Sequence, residues 1–260
     1  MEKSRHKLVP PHHLRHVMKN ALSALAAMVF AGSTAFATDQ HAYKPDEYLV
    51  IGGGLSPDKR LSISAHGGPD EGDTGSFHLY LMDTKKHRKL AVLEEVTAWL
   101  DTGISAYTAS WAPDSRHVAV YFRWDRNAWD LILYRVEDGK VIPVKGPELL
   151  DAALPDFAAK KFTSSDSDFD PAPVERTGSR TTHLDLKWLS PTRFELRERT
   201  LHRHVAPDPT PAFGAYAKCG KINPESPDYA ADFSAEAVCE FTKGDRYRVV
   251  TIKPGTFPEE

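Results

Sequence analysis

Trp111-Ala112-Pro113-Asp114-Ser115-Arg116-His117-Val118-Ala119-Val120 is the stretch on which the fold turns. Proline presets its own φ and aspartate bonds to backbone N–H groups just ahead of it, so Ala112-Pro113-Asp114-Ser115 reads as a tight turn. The residues His117 to Arg123 that follow are rich in β-branched and aromatic side chains, which is strand chemistry. Ala106 to Trp111 supplies the strand before the turn, Leu131 to Val136 a third strand, and Val141 to Val144 a fourth beyond the turn Glu137-Asp138-Gly139-Lys140. Between the second and third strands, Trp124 to Asp130 is polar and aromatic and reads as a long loop.

The same plan stands on both sides of this stretch. Upstream, Tyr48 to Ile51 is a strand, Ser56-Pro57-Asp58 a turn, and Arg60 to Ala65, Phe77 to Met82 and Lys89 to Leu93 three further strands, with a long loop from His66 to Ser76. The two Pro-Asp turns lie 56 residues apart, a period that points to a repeated structural unit. Downstream, His183 to Trp188 enters Ser190-Pro191-Thr192-Arg193 and Phe194 to Arg197 leaves it, with Thr192 where the other units carry Asp. Tyr247 to Ile252 is a late strand. Short helices are expected near Val96, Leu100 and Ile104, and within Pro147 to Lys161, where apolar residues fall at helical spacing. Gly52-Gly53-Gly54 lacks the Gly-Lys-Ser/Thr and helix that a phosphate loop requires, so the glycines read as a bulge or a close backbone approach.

The chain opens with Lys3, Arg5, Lys7, Arg15 and Lys19, passes into the apolar run Ala21 to Ala31 and reaches Ala35-Phe36-Ala37. A basic head, a short apolar middle and an A-x-A exit form the pattern of a secretory signal peptide. The run falls short of the roughly 20 apolar residues a membrane helix needs. Residues 1–37 are therefore expected to be a cleaved signal, with 38–260 a single β-rich domain that carries no stable membrane anchor and resides in the bacterial periplasm or outside the cell. Residues 1–37 carry five Lys/Arg and one Glu, a net +4, against −3 for the whole chain, so residues 38–260 stand near −7. That balance speaks against nucleic acid as a partner, which calls for a basic stripe. Cys219 and Cys239 are the two cysteines, and in an oxidising compartment they are expected to pair as a disulfide.

Strand, Ser/Ala-Pro-Asp-x-Arg, alternating strand, then L-x-L-Y and a Gly-containing turn resembles the blade repeat of bacterial periplasmic propellers of the Tol-system, WD40-like type. The resemblance implies a mainly β fold of blade-like four-stranded antiparallel units, a partial or small β-propeller, with units near residues 48–93, 107–144 and 182–252. Leu100 to Gly103, Ala106-Tyr107 and Ser115 to Val120 also resemble a group of secreted bacterial proteins, which implies export and a shared fold and brings no activity with it.

In such a scaffold the loops between second and third strands share one face, where function concentrates. The candidate binding residues are accordingly His66 and Asp73 in the first unit and Arg123, Trp124, Asp125, Arg126 and Trp129 in the second. Tryptophan and arginine dominate interface hot spots because they bury large areas and still hydrogen-bond at their edges. The alternative is that each Trp folds back over the sheet and the arginines pair with Asp125 and Asp130. Trp111 and Trp188, inside strand-to-turn segments, read as core. Asp70, Glu71 and Asp73, or Asp166, Asp168 and Asp170, have oxygens for calcium; the second set carries Pro171 and Thr177 where a calcium loop requires Gly and Glu. His202 and His204 share one strand face but lack a placed third ligand. No metal site and no cofactor is expected. A nucleophile elbow and an H-E-x-x-H motif are both missing from the sequence.

The leading expectation is an exported, non-catalytic binding module of the cell envelope that recognises a protein or glycan through these loops. The alternatives are a periplasmic hydrolase using loop carboxylates (Asp70, Glu71, Asp73 or Asp125) with a His, and an inhibitor of a cell-wall-acting enzyme. The sequence leaves the ligand and the oligomeric state open.

Overall fold

A computed structural model describes residues 40–67, 76–96, 101–125, 128–155, 180–204, 214–216 and 229–256, with the backbone alone at 180, 202–204 and 229–232. They belong to the compact unit Thr38–Glu260. The strands are β1 Leu49–Leu55, β2 Leu61–His66, β3 His78–Asp83, β4 Arg88–Val92, β5 Tyr107–Trp111, β6 His117–Asp125, β7 Ala128–Glu137 and β8 Lys140–Val144. The short helix α1, Leu149–Ala153, precedes β9 Arg180–Ser190, β10 Arg193–His204, β11 Tyr229–Thr242 and β12 Arg246–Pro254.

The two Pro-Asp turns have the same internal bonding. Ser56 N–H donates to Leu61 O (2.9 Å) and Lys59 N–H to Ser56 O (2.8 Å); Ala112 N–H donates to His117 O (2.8 Å) and Ser115 N–H to Ala112 O (3.0 Å). Asp58 and Asp114 each accept the backbone N–H two residues on, at 3.1 and 2.9 Å. Lys59 (φ 58°) and Ser115 (φ 59°) close the turns in the left-handed region. The third turn is tighter, with Ser190 paired directly to Arg193. Its Thr192 instead receives Phe241 N–H of β11 on its carbonyl (3.0 Å).

The fold is mainly β, as expected, but the first two units are not separate four-stranded blades. β1 and β5 meet in parallel through Gly52 and Thr108, and this joint fuses both meanders into one eight-stranded mixed sheet of order β4-β3-β2-β1-β5-β6-β7-β8. Glycines permit the fusion. A Cβ on Gly53 (φ +65°) would lie 2.1 Å from Ala109 O, and one on Gly54 2.5 Å from Ile63 O. The ladder between β1 and β2 shifts register across Val50 to Leu55, so the three glycines are both a bulge and a close approach. β9 to β12 form a separate four-stranded antiparallel sheet of order β12-β11-β10-β9.

The eight-stranded sheet curls until β4 nears β8, where Leu90 packs on Gly139. Its inner face carries Ile63, Leu79, Leu81, Tyr107, Val118 and Val120. A second core forms where the outer face of β6 to β8 (Ala119, Leu133, Val144) meets α1 (Leu149, Leu150) and the smaller sheet (Phe194, Leu196, Phe233). β6 is thus buried on both faces, which is why His117 to Phe122 reads as a nearly unbroken apolar run. Each fully buried Leu, Val or Phe here contributes roughly 1.5–3 kcal/mol. Cys239 lies in this second core as a free thiol, its pKa pushed up to about 12 by burial; its expected disulfide partner, Cys219, is outside the described residues.

One further expectation changes. Arg123 to Asp130 is not a long loop, because β6 runs to Asp125 and β7 starts at Ala128, with Arg123 opposite Trp129 and a register shift between Arg123 and Asp125. Arg199 to His204 belongs to β10 and is paired with β11 as far as His204↔Tyr229. Ile104 to Ala106 makes a single 3-10 turn, while residues 97–100 and the acidic loops at 70–73 and 166–170 lie outside the described residues.

Candidate functional site

β8 pairs with β7 only from Leu133, opposite Val144, onward to Glu137. Beyond Val144 the chain leaves the ladder, and Lys145 instead bridges in parallel to Arg246 at the start of β12. Among the described residues, the first half of β7, Ala128 to Ile132, therefore has a strand on one side alone. The gap is a cleft of about 740 Å³ between β7 and the segment Pro143–Leu150, floored by Leu184, Leu196, Glu198, Thr200 and Tyr247 of the smaller sheet. Trp124 and Trp129 also line it, and Trp124 is 40% exposed. A second depression of about 410 Å³, with Thr108, Ser110, His183 and Asp185 in its wall, shares Trp129 and Leu184 with the first. Trp129 thus stands at the junction of two adjoining hollows.

The parallel joint β1–β5 and the parallel bridge Lys145–Arg246 give β2, β6 and β10 one common sense. The C-terminal ends of these three strands therefore point toward the same end of the molecule. Of the candidate residues there, Arg123 is the clearest correction. It is 6% exposed, and its guanidinium is bound to Asp101 through Nε–Oδ2 (3.0 Å) and Nη2–Oδ1 (2.7 Å), which takes it off the surface. Burial of an arginine demands such a partner, and the sequence does not show that Asp101 comes near. His66 Nδ1 donates to Glu47 O (2.8 Å) and its ring stacks on Tyr48 at 4.5 Å; it does not line the cleft. Asp125 is half-buried at the end of β6. Asp73 and Arg126 lie outside the described residues, as do the side chains of His202 and His204.

Sequence reasoning passed over the carboxylates of the cleft. Glu95 accepts the Tyr134 hydroxyl (3.0 Å), Asp130 caps Leu131 N–H (2.7 Å) and Glu198 accepts the Thr200 hydroxyl (2.7 Å). Loss of water around the carboxyl of Glu198 raises its pKa, and the charges of Glu148 and Asp130 add to the rise. Asp130 is raised for the same leading reason; much of the residue is exposed, yet its carboxylate sits among the cleft walls, which is what removes water from it. A signal for both was present. Glu198 follows Phe194 and Leu196 in strand phase, and Asp130 precedes Ile132 and Tyr134, so each is a carboxylate at a core-facing position. Among the described residues no cluster of three or more metal-ligating side chains occurs.

A larger hollow of about 810 Å³ lies at the opposite end, among the turns. Many of its charges are already satisfied locally. Arg135 binds Asp245 and Glu137, Arg60 binds Asp58 (2.7 Å), and Asp83 accepts Lys85 N–H and Lys86 N–H. The Trp-bordered cleft is the stronger candidate, because among the described residues its carboxylates outnumber its cations.

No family model, no curated protein and no solved structure matches this chain. The fold and the cleft define a two-sheet β protein with an aromatic-bordered, acidic hollow at one end.

Proposed function

We propose that the protein is an exported binding module of the bacterial cell envelope, recognising a protein or glycan through the cleft beside β7. The observation that carries this reading is the placement of Trp124 and Trp129 at the cleft, where the ladder between β7 and β8 ends. Large aromatic side chains held on strands offer contact area at little entropic cost, and a hollow with few convergent polar groups is the usual form of a ligand site. The signal-like N-terminus supports an envelope location. The recognition surface differs from the expected loop rim in being a hairpin end and a cleft.

Affinity capture from a periplasmic extract and from purified cell-wall glycan tests this. The intact protein should retain a ligand that a Trp124→Ala/Trp129→Ala variant of unchanged circular dichroism releases. Identical retention by both proteins would overturn the reading. A hydrolase reading draws on one specific observation, the raised pKa of Asp130 and of Glu198 in one hollow, since a general acid needs a carboxyl that holds its proton more firmly than a free one does. Turnover of the captured ligand, abolished by Glu198→Gln, would favour it.

A further inference from the structure

The reading of the cleft as a binding site leaves its ligand unspecified, and the geometry of β7 narrows it. Val136 N–H bonds to Arg116 O (2.7 Å), so the even-numbered residues of β7 turn their backbone groups toward β6. Trp129 and Leu131 consequently turn theirs toward the open side. Leu131 N–H is capped there by its neighbour Asp130, and among the described residues no backbone donor reaches the carbonyls of Trp129 and Leu131. A bare strand edge is a template for another extended chain, and proteins blunt such edges with charge. The carboxylate of Asp130 does this here.

Charge sets the composition of the chain that fits. Among the described residues, the cleft is lined by the carboxylates Glu95, Asp130, Glu148 and Glu198 and by a single amine, Lys145. Two indoles stand beside them, and the faces of tryptophan attract ammonium and guanidinium groups. We propose that the cleft binds an extended, lysine- or arginine-bearing peptide segment of a partner protein, added as a strand along Ala128 to Ile132 of β7. This rests on the reading of the cleft as a binding site. The peptide's N–H groups bond to the carbonyls of Trp129 and Leu131. Its basic side chains at alternate positions share one face, and on the face where β7 turns Trp129 and Leu131 toward the smaller sheet they reach Glu198 and pack across Trp129. A basic side chain competes with Leu131 N–H for Asp130, so the stopper of the empty edge becomes a ligand of the filled one. A glycan would meet the aromatic faces equally well, but it has no repeating N–H to match a strand edge.

Isothermal titration of the intact protein with a synthetic pentapeptide carrying Lys at alternate positions tests this. The controls are the same peptide with both lysines acetylated, the same peptide N-methylated along its backbone, and a neutral chitin pentasaccharide. Binding should weaken at least about tenfold on acetylation, on N-methylation and in a Glu198→Gln variant, a step equal to about 1.4 kcal/mol. It should also weaken with added salt. Equal affinity for free and acetylated peptide, or no loss on N-methylation, would overturn the proposal. Trp-dependent binding of the pentasaccharide with none of the peptide would overturn it while leaving the binding-module reading intact. Absence of Trp-dependent binding to any of these probes, with no ligand captured from the envelope, would remove both.

Discussion

Arg123 on β6 and Asp101 ahead of β5 form a bidentate ion pair with side-chain exposures of 6% and 0%. The backbone around Asp101 collects further bonds. Tyr107 donates its hydroxyl to Asp101 O and Tyr43 its hydroxyl to Thr102 O, both at 2.7 Å, and His41 N–H reaches Thr102 Oγ1 (2.9 Å). One buried polar node therefore ties the leading segment to β5 and β6 at the end of the molecule where β6 and β7 meet.

Removing one charge from a buried pair leaves the other without compensation. Arg123→Ala and Asp101→Ala should each destabilise the fold by about 3–5 kcal/mol, and the double variant by clearly less than their sum. Urea unfolding of the three proteins measures this. Single effects below about 1 kcal/mol would show that the pair is solvated and the node is not a structural one.

At Gly53 the joint between the two meanders is most sensitive. Its φ of +65° disfavours any side chain, and a Cβ would press against Ala109 O. Gly53→Ala should cost roughly 2–5 kcal/mol, the sum of a left-handed backbone penalty and a clash that β5 must relieve by moving. Gly244, at φ +79° with nothing within 4 Å of a Cβ, provides the control. Gly244→Ala should cost only about 1–2 kcal/mol. Equal shifts in the urea midpoint would mean that strand contact at Gly53 is dispensable.

These two sites show where the sequence is legible and where it is not. The Pro-Asp turns and the strands around them are readable because proline, aspartate and period-2 alternation act locally. β6 could be read as a strand, yet its burial on both faces depends on the smaller sheet. The joint at Gly52 is a single paired position and has no local signature beyond the glycines. β11 escaped notice because Ala230, Ala231, Ala235, Glu236 and Ala237 are not strand formers; its inward row of Phe233, Ala235, Ala237 and Cys239 becomes visible once β10 and β12 flank it. The hairpin end at Trp124 and Trp129 looks like a loop because its polar residues belong to a ladder whose partner is the adjoining strand. The carboxylates of the cleft come from the segment after β4, from β7, from β10 and from the segment before α1, so only the fold assembles them.

Trp111 and Trp188 repeat one contact between successive units. Trp111 donates its indole N–H to Gly54 O of β1 (2.9 Å), and Trp188 donates to Ser110 O of β5 (3.2 Å). Gly54 and Ser110 each stand three residues before the turn proline, so the acceptors are equivalent positions. Replacing either indole by Phe keeps most of the apolar area and deletes the donor. Trp111→Phe, where the acceptor is buried, should cost about 1–3 kcal/mol, and Trp188→Phe, at a half-buried site, about 0.5–1.5 kcal/mol. Thermal unfolding read against denaturant midpoints distinguishes them; a larger effect at Trp188 would contradict the assignment of the tighter contact to the first two units.

His117 makes the seam between the sheets sensitive to pH. Its ring stacks on Phe241 of β11 at 4.2 Å, and among the described residues its buried Nδ1 has no hydrogen-bond partner. Loss of water lowers its pKa below the ordinary 6.5; Arg135 and Arg116 lower it further, while Asp114, 3.8 Å away, and Asp245 oppose them. A histidine whose folded pKa is depressed binds its proton more readily in the unfolded chain. Its contribution to stability is therefore fully present above about pH 6.5 and is lost as pH falls from there through the folded value. His117→Phe keeps the stack on Phe241 and removes the titration. The stability difference between wild type and variant should be constant above about pH 6.5 and turn progressively against wild type toward pH 5, read as urea midpoints at each pH. A difference that does not change across this window, or that favours wild type more strongly in acid, would show that the ring is hydrated and that Asp114 holds its proton in the folded state.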